Sequence, residues 1–370
     1  MTMQLDNVEL LPETDVRDRG GPLQPMLIVE NIKKYFPIRA GLLNRKVADV
    51  KAVDDVSFFV LKGETLGIVG ESGCGKSTLA RLLMHLLDKD EGKLILDGDG
   101  VGERNGISVQ ELRRSLQMVF QDSYSSLNPR LPIQESIAYG PKVHGETGAR
   151  AKEITRDLLE KVGLKPHLFS SRYPHELSGG QKQRVNIARA LALDPRVLIL
   201  DEAVSALDKS VEAQVLNLLA DLKEQLKLTY IFISHDLHVV RYISDRVLVM
   251  YLGQVVEIGP VDAIYEHPKH PYTMALLQCQ LSMDPEERMD SAPLAGDPPN
   301  PVNPPSGCRF HTRCPYAEDV CKSDMPRLGD VLTAPADRHF AACHMVHPGS
   351  GHTLAPAAPI REPAVAAATA

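Results

Sequence analysis

Residues 65–87 read TLGIVGESGCGKSTLARLLMHLL, and residues 70–77 within them fit the pattern G-x-x-x-x-G-K-S. A β-rich run precedes the pattern and a helical run follows it, which is the context of a phosphate-binding P-loop. Its glycines let backbone N–H groups turn toward phosphate oxygens, and a helix N-terminus attracts anions. The alternative is a glycine-rich turn that fits by chance, which this context disfavours. The predicted nucleotide contacts are Gly70, Glu71, Ser72, Gly73, Cys74, Gly75, Lys76, Ser77 and Thr78.

Two carboxylates follow a second apolar run, VLILDE at residues 197–202. The run predicts a buried strand, and parallel sheets bind ligands at the carboxyl ends of their strands. Together with the P-loop, Asp201 is predicted to hold Mg²⁺ and Glu202 to orient and polarise an attacking water. Lys76 is expected to reach the β- and γ-phosphates of a nucleotide, and Ser77 to ligate the same Mg²⁺.

The composition restricts the class of protein. The chain has 370 residues, of which 43% are hydrophobic, so a sizeable core is expected. A net charge of −7 argues against nucleic-acid binding, which needs clustered Lys and Arg. The sequence shows neither an apolar run of about 18 residues nor a signal-peptide pattern, so we expect a cytoplasmic location with reduced thiols.

The pattern along the chain predicts its organisation. Helical and strand signals alternate after the first 25 residues, which indicates an α/β domain with a largely parallel sheet. Val215, Leu219 and Leu222 recur at helical spacing and predict an amphipathic helix over residues 209–227. Proline then becomes frequent. The predicted parts are a flexible leader at 1–25, a nucleotide-binding domain at 26–285, a Pro-rich linker at 286–307, a small Cys-rich subdomain at 308–347 and a disordered tail at 348–370.

A second helix start also carries the features of an anion site. HELSGGQKQRVNIARALAL at residues 175–193 places Ser178 and Gln181 at capping-box spacing. Gly179 and Gly180 expose the backbone at that point, where helix N–H groups would face an anion. Taken alone, this segment is better explained as an ordinary capped helix with a Gly-rich entry.

LSGGQ at residues 177–181 resembles the signature motif of ABC-type ATPases, and further motifs stand in the order of that family. Gln121 matches the Q-loop glutamine, Asp208 in SALD matches the D-loop acid, and His235 in YIFISHD matches the switch histidine. Phe36 falls where the family places an aromatic ring against adenine, with Tyr35 as the alternative.

The resemblance covers roughly residues 26–285 and implies a RecA-like core, an antiparallel β subdomain and a helical signature subdomain. It also implies that two such domains face each other head to tail and bind ATP between them. One local departure is Ala203–Val204, where many members have Pro–Thr. The implied catalytic residues are Glu202, His235 and Gln121, and the implied Mg²⁺ ligands are Ser77, Gln121 and Asp201. Ser178 and Gly180 are implied to serve the partner's ATP, and Gly179, Gln181 and Asp208 are further expected nucleotide contacts.

A narrower resemblance, to ATPase subunits of dipeptide and oligopeptide permeases, rests on DSYSSLNPR, HPKHPYTMALLQ and the Cys-rich region. It implies a peripheral protein on the cytoplasmic face of the membrane. Its expected partners are a second ABC ATPase, two membrane-spanning subunits and, indirectly, a substrate-binding protein. Tyr124, Asn128 and Pro129 are candidates for contact with the membrane subunits, and a loop packed on its own domain is an equally supported alternative for each. Nickel or another small solute is an alternative cargo, and a soluble ABC ATPase acting on nucleic acid or ribosomes is an alternative of a different class.

The six cysteines include four with the spacing C-x5-C-x6-C-x21-C. By spacing alone, four free thiols in a packed segment are as well supported as a metal site with four thiolate ligands. His311 and His344 lie close enough in sequence to substitute as zinc ligands. The resemblance to peptide-permease ATPases implies a four-iron, four-sulfur (4Fe-4S) iron–sulfur cluster, with zinc as the alternative, held by Cys308, Cys314, Cys321 and Cys343.

Overall fold

The computed structural model describes residues 24–41, 44–122, 126–279 and 296–357. The predicted leader lies almost entirely outside these ranges, as does the larger part of the predicted tail. Among the helices of the described ranges, none combines the length and apolar composition needed to cross a lipid bilayer.

The strands of the described residues form two sheets. An antiparallel sheet has the first, second, fourth and fifth strands, and a seven-stranded sheet has the others. The predicted α/β class is therefore confirmed. The strands are β1 (Leu27–Ala40), β2 (Arg45–Val60), β3 (Thr65–Val69), β4 (Glu91–Leu96), β5 (Asp99–Gly100), β6 (Leu116–Val119), β7 (Val197–Asp201), β8 (Thr229–Ile233), β9 (Arg246–Tyr251), β10 (Gln254–Pro260) and β11 (Phe340–Ala341).

In chain order, the α-helices of the described residues all lie between β3 and β11. They are α1 (Lys76–Leu83), α2 (Val109–Ser115), α3 (Ile133–Val143), α4 (Gly148–Lys161), α5 (Pro166–Phe169), α6 (Gly179–Leu191), α7 (Lys209–Leu226), α8 (Leu237–Ile243), α9 (Val261–Glu266), α10 (Pro271–Gln278) and α11 (Asp319–Ser323). Helix α7 matches the predicted amphipathic helix and buries Val215, Leu219 and Leu222. Helices α3, α4 and α6 share a core through Ile137, Leu159 and Val185.

The strand order of the larger sheet is β11-β10-β9-β3-β8-β7-β6. It places the predicted motifs at the carboxyl ends of neighbouring strands. Strands β3, β8 and β7 are adjacent, parallel and buried along their whole length. Their carboxyl ends therefore lie side by side, as expected for an apolar parallel sheet covered on both faces. The P-loop, Glu202 and His235 each follow one of these three ends.

The Cys-rich segment packs on the larger sheet. Strand β11 pairs with β10, with Ala341 opposite Glu257, and Phe310 is 2% exposed against Tyr251 of β9. In the preceding linker, the carbonyl of Pro301 accepts the N–H of Lys51 at 3.2 Å. The structure therefore does not support the predicted separate Cys-rich subdomain. So short a segment has too little apolar surface for its own core and buries it against the larger domain.

Candidate ATP-binding site

The P-loop lies between β3 and α1 in a conformation that requires glycine. Gly70, Gly73 and Gly75 have φ values of 148°, 79° and 110°. A Cβ at Gly70 would lie 2.2 Å from the carbonyl oxygen of Met250, and a Cβ at Gly75 would lie 2.2 Å from that of Ala52. Helix α1 begins without a side-chain cap, so its first N–H groups could bind an anion at this end.

Lys76 is the first residue of α1 and is 6% exposed. Its Nζ donates to the carbonyl oxygens of Gly70 at 2.6 Å and Glu71 at 3.1 Å. The loop's own carbonyl groups thus hold the ammonium group beside the backbone that would bind phosphate. This placement matches the role expected of the P-loop lysine.

The predicted Mg²⁺ ligands lie close together. Ser77 Oγ donates to Asp201 Oδ1 at 3.3 Å, and both residues line one groove with Gln121. Burial raises the pKa of Asp201, and the hydrogen bond from Ser77 partly offsets this increase. A divalent cation would stabilise the charged carboxylate here, and a hydroxyl, a carboxylate and an amide oxygen are ligands suited to Mg²⁺. The residues present therefore fit the predicted ion.

The three predicted catalytic side chains meet. Glu202 follows β7 with a φ of 48°, and its N–H donates to the carbonyl of Ile233 at the end of β8. Gln121 Nε2 donates to Glu202 Oε2 at 2.5 Å, and His235 Nδ1 lies 3.4 Å from Glu202 Oε1. The Glu202 carboxylate is therefore positioned from both sides, as a general base must be.

The signature motif forms the predicted capping box at the start of α6. Ser178 Oγ accepts the Gln181 N–H at 3.4 Å, and Gln181 Oε1 accepts the Ser178 N–H at 3.1 Å. Gly180 lies so close to α7 that a Cβ would be 2.4 Å from Val211 Cγ1. Ser178 and Asp208 are both exposed, so this surface is accessible to another molecule.

The structure distinguishes between the two aromatic residues that were predicted to stack on adenine. The Tyr35 hydroxyl donates to Asp54, and burial of the phenol raises its pKa. Phe36 is 36% exposed, and Lys34 Nζ lies 5.8 Å from the centre of its ring. An exposed ring can stack on a base, whereas Tyr35 is held within the fold, so we favour Phe36.

We expect Phe36→Ala to weaken ATP binding about tenfold, because aromatic stacking contributes about 1–3 kcal/mol per base. Titration of the purified chain with a fluorescent ATP analogue measures this. Tyr35→Phe, which loses only the hydroxyl contact with Asp54, is the matched control and should bind ATP like the parent chain. The assignment fails if Tyr35→Ala weakens binding and Phe36→Ala does not.

The four cysteines of the C-terminal segment line one cavity, together with His270, Phe310, His311 and His344. Burial raises the pKa of Cys308 to about 11 and that of Cys343 to about 12. Within the described ranges, no group of three or more His, Cys, Asp or Glu side chains is placed to hold a metal ion. Within these ranges the structure therefore offers no site for the zinc alternative, and it does not by itself show the predicted 4Fe-4S cluster. Zinc would need its donor atoms about 2.0–2.3 Å from one point.

The sequence patterns missed two contacts between this segment and the predicted ATP site. Arg313 forms an ion pair with Glu71 inside the P-loop, and Arg309 donates to Asp54, the residue that also accepts from Tyr35. No local motif marks either arginine, because both partners lie more than two hundred residues away along the chain.

Two protein families match this chain. Residues 53–205 match the family described as ABC transporter, and residues 256–321 match the family described as oligopeptide/dipeptide transporter, C-terminal region. The second match includes His270, which lines the cysteine cavity, and Tyr272 and Arg313, which contact Glu71 of the P-loop.

Curated proteins resemble the chain over most of its length. A probable peptide ABC transporter ATP-binding protein of Sinorhizobium fredii is 50% identical over 335 residues, which are 90% of this chain and 93% of the relative. An oligopeptide transport ATP-binding protein of Bacillus subtilis is 49% identical, covering 87% of this chain and 98% of the relative. A di/tripeptide transport ATP-binding protein of Pseudomonas aeruginosa is 43% identical with the same coverage.

Solved structures share the fold. The cbiO1 component of the ABC transporter complex cbiONQ from Clostridium perfringens has a TM-score of 0.56 and 27% identity, covering 66% of this chain and 91% of its own. An ATP-binding cassette in a dimeric post-hydrolysis state, bound to ADP and phosphate, has a TM-score of 0.54 and 28% identity, covering 64% of this chain and 99% of its own.

Proposed function

The chain belongs to the ATP-binding proteins of peptide ABC transporters, and we propose that it hydrolyses ATP to power the uptake of di- and oligopeptides. The observation that carries the hydrolytic role is the contact of Gln121 and His235 with the Glu202 carboxylate. This group stands at the same sheet edge as the P-loop, so a base lies next to the phosphate site.

The side chains divide the chemistry among them. Lys76 and the N-terminus of α1 neutralise the triphosphate, while Ser77, Asp201 and Gln121 would hold Mg²⁺, which offsets charge on the phosphates. Glu202 accepts a proton from the attacking water, and its contacts with Gln121 and His235 fix the orientation of the carboxylate.

A partner ATPase completes the site in this proposal. The exposed Ser178 and Asp208, with Gly179, Gly180 and Gln181, would contact ATP bound to a second domain. The chain has one P-loop and one signature motif, so the partner supplies the second set. Loss of the γ-phosphate on hydrolysis removes contacts across the nucleotide and lets the two domains separate.

Membrane subunits would bind the surface that follows the Q-loop. Asn128 and Pro129 are exposed there, and Phe120 and Tyr139, at 40% and 65% exposure, line one groove with Gln121. Tyr124, the third predicted contact, lies outside the described residues. We place the chain peripherally on the cytoplasmic face of the membrane, beneath two permease subunits that receive peptide from a substrate-binding protein.

Isolation of the native complex tests this function. The chain should co-purify from membranes with two hydrophobic subunits, and labelled dipeptide uptake should stop in cells that carry only the Glu202→Gln form. If cells that carry the chain take up nickel but not peptide, the transported solute is nickel and the peptide assignment is wrong. A membrane-free protein whose ATP turnover is stimulated by nucleic acid or ribosomes would overturn the transport role.

We also propose that the four cysteines hold a 4Fe-4S cluster. His270 is wholly buried, and burial lowers its pKa to about 4, so the imidazole is neutral at neutral pH. Its Nδ1 accepts the N–H of Tyr272 at 3.0 Å, which leaves the proton on Nε2. That Nε2 lacks a hydrogen-bond partner among the described residues, and the ring lines the cysteine cavity.

A buried N–H donor without an acceptor is costly, and cluster sulfur would accept its hydrogen bond. A cluster is also wider than a single ion, so its ligands stand farther apart than zinc requires. When bound, the group would supply folding energy or electron-transfer capacity, and the residues that would hold it are Cys308, Cys314, Cys321 and Cys343.

Anaerobic purification is expected to give about four iron and four sulfide per chain. Cys321→Ser should lower both, whereas Cys279→Ser, which changes an exposed cysteine outside the cavity, should leave them unchanged. Elemental analysis and the visible absorption spectrum measure this without reference to ATP turnover. Stoichiometric zinc without sulfide, or a metal-free protein, would contradict the cluster.

A further inference from the structure

Two side chains from the C-terminal part of the chain bind the P-loop. Arg313 Nη1 lies 2.8 Å from Glu71 Oε2, and Arg313 Nη2 lies 3.0 Å from Glu71 Oε1. Tyr272 Oη accepts the backbone N–H of Glu71 at 2.8 Å. We call Arg313 and Tyr272 the C-terminal clamp. A bidentate arginine–carboxylate pair fixes orientation as well as distance, so the clamp defines where Glu71 lies.

Glu71 in turn contacts the phosphate-binding lysine. Its carbonyl oxygen accepts from Lys76 Nζ at 3.1 Å, so all three polar groups of Glu71 are engaged: the N–H, the carbonyl and the carboxylate. Two of these groups, the N–H and the carboxylate, bind the C-terminal clamp. A change in the clamp is therefore transmitted to Lys76 through a single residue.

Arg313 is rigidly supported. Its side chain is 5% exposed, and its guanidinium lies 6.0 Å from the centre of the Tyr251 ring. The Tyr251 and Tyr272 rings are 4.6 Å apart, and Phe310 packs against both. Phe310 also lines the cysteine cavity, so one aromatic cluster connects that cavity with the P-loop.

Arg313 also has an electrostatic effect. Glu71 places a carboxylate within a loop that must accept a polyanionic nucleotide, and like charges at short range repel. The guanidinium neutralises this carboxylate, and its hydrogen bonds with Glu71 raise the pKa of Arg313, so the guanidinium stays charged at physiological pH. Without Arg313, the P-loop would present an uncompensated negative charge to ATP.

We propose that Arg313 is a positioning residue for ATP binding, and that the C-terminal segment sets the affinity of the P-loop through Glu71. The proposal rests on the proposed function, in that residues 70–77 must bind ATP. It extends that function by making the cysteine-containing segment part of the nucleotide site. Arg313 acts on ATP through Glu71 and Lys76.

Titration of the purified full-length chain with ATP by calorimetry tests this. We expect Arg313→Met to weaken ATP binding about tenfold, and Arg313→Lys, which keeps the charge but not the bidentate geometry, about threefold. In the assembled complex, the KM for ATP should rise while kcat stays within about twofold, because the Glu202 group is untouched. Arg338→Met is the matched control: this exposed arginine of the same segment lies over Phe340 and should bind ATP like the parent chain.

Combining Arg313→Met with Glu71→Gln distinguishes a positioning role of Arg313 from an effect on folding. Arg313→Met should weaken binding less in a Glu71→Gln background, since the charge that Arg313 compensates is gone. Misfolding would lower the fraction of chains that bind ATP without changing the affinity of the rest. The proposal is overturned if Arg313→Met binds ATP within about twofold of the parent chain, or if its effect is the same in both backgrounds. A parent chain that does not bind ATP would instead overturn the proposed function.

Discussion

Glu202→Gln is expected to lower ATP turnover about 10³-fold while ATP affinity stays within about twofold. The amide is nearly the same size as the carboxylate but cannot accept the proton of the attacking water. Glu202 is not in the P-loop, so the charges that bind the triphosphate remain. Steady-state phosphate release from the assembled complex, together with an ATP titration of the chain, separates the two effects.

Two controls define this result. Glu224→Gln makes the same change on the exposed face of α7 and should leave turnover unaltered. His235→Ala removes a neighbour of Glu202 but keeps the base, so a smaller loss of turnover is expected. If Glu202→Gln turns over ATP within a few-fold of the parent chain, Glu202 is not the base, and the role must pass to another group at this sheet edge.

The sequence indicated the candidate ATP site because the motifs that form it are local. Each motif immediately follows an apolar run, and a buried apolar run between helical patterns predicts a strand of a parallel sheet. Since the carboxyl ends of such strands share one edge, the order of motifs along the chain was enough to predict that Lys76, Asp201 and Glu202 would be neighbours. The structure adds the contacts of Gln121 and His235 with Glu202.

The sequence could not place the C-terminal segment. The proline-rich run before it indicated a linker and a separate subdomain, yet β11 is a two-residue strand whose pairing with β10 depends on distant residues. The ion pair between Arg313 and Glu71 joins positions 242 residues apart, and neither residue has a periodic or motif signal for the other. Such contacts follow from tertiary packing, which overrides local patterns.

The arrangement of the cysteines could be predicted from the sequence only in part. Their spacing suggested a common site, and the structure does bring all four to one cavity. Spacing alone could not show that, in the described ranges, no three of these side chains are placed to hold a single metal ion. Nor could it indicate His270, because the unpaired Nε2 is visible only once the ring is buried beside the cavity.

Lys76→Met is expected to weaken ATP binding about 100-fold or more, which is the largest expected effect after that of Glu202→Gln. The substitution keeps the aliphatic chain but removes the charge that would face the β- and γ-phosphates, and charge-assisted contacts of this kind contribute about 3 kcal/mol. Buried as it is, Lys76 has little competing water, so its charge acts at short range. Calorimetric titration with ATP and Mg²⁺ measures the loss.

Lys76→Met also leaves the carbonyl oxygens of Gly70 and Glu71 without their lysine donor. The free energy of unfolding should therefore fall by about 1–3 kcal/mol. Denaturant titration measures this decrease and shows that the variant is folded in the absence of denaturant. Lys93→Met, an exposed lysine on β4, is the control and should change neither quantity. ATP binding by folded Lys76→Met within about threefold of the parent chain would show that the backbone N–H groups of the P-loop bind the triphosphate unaided.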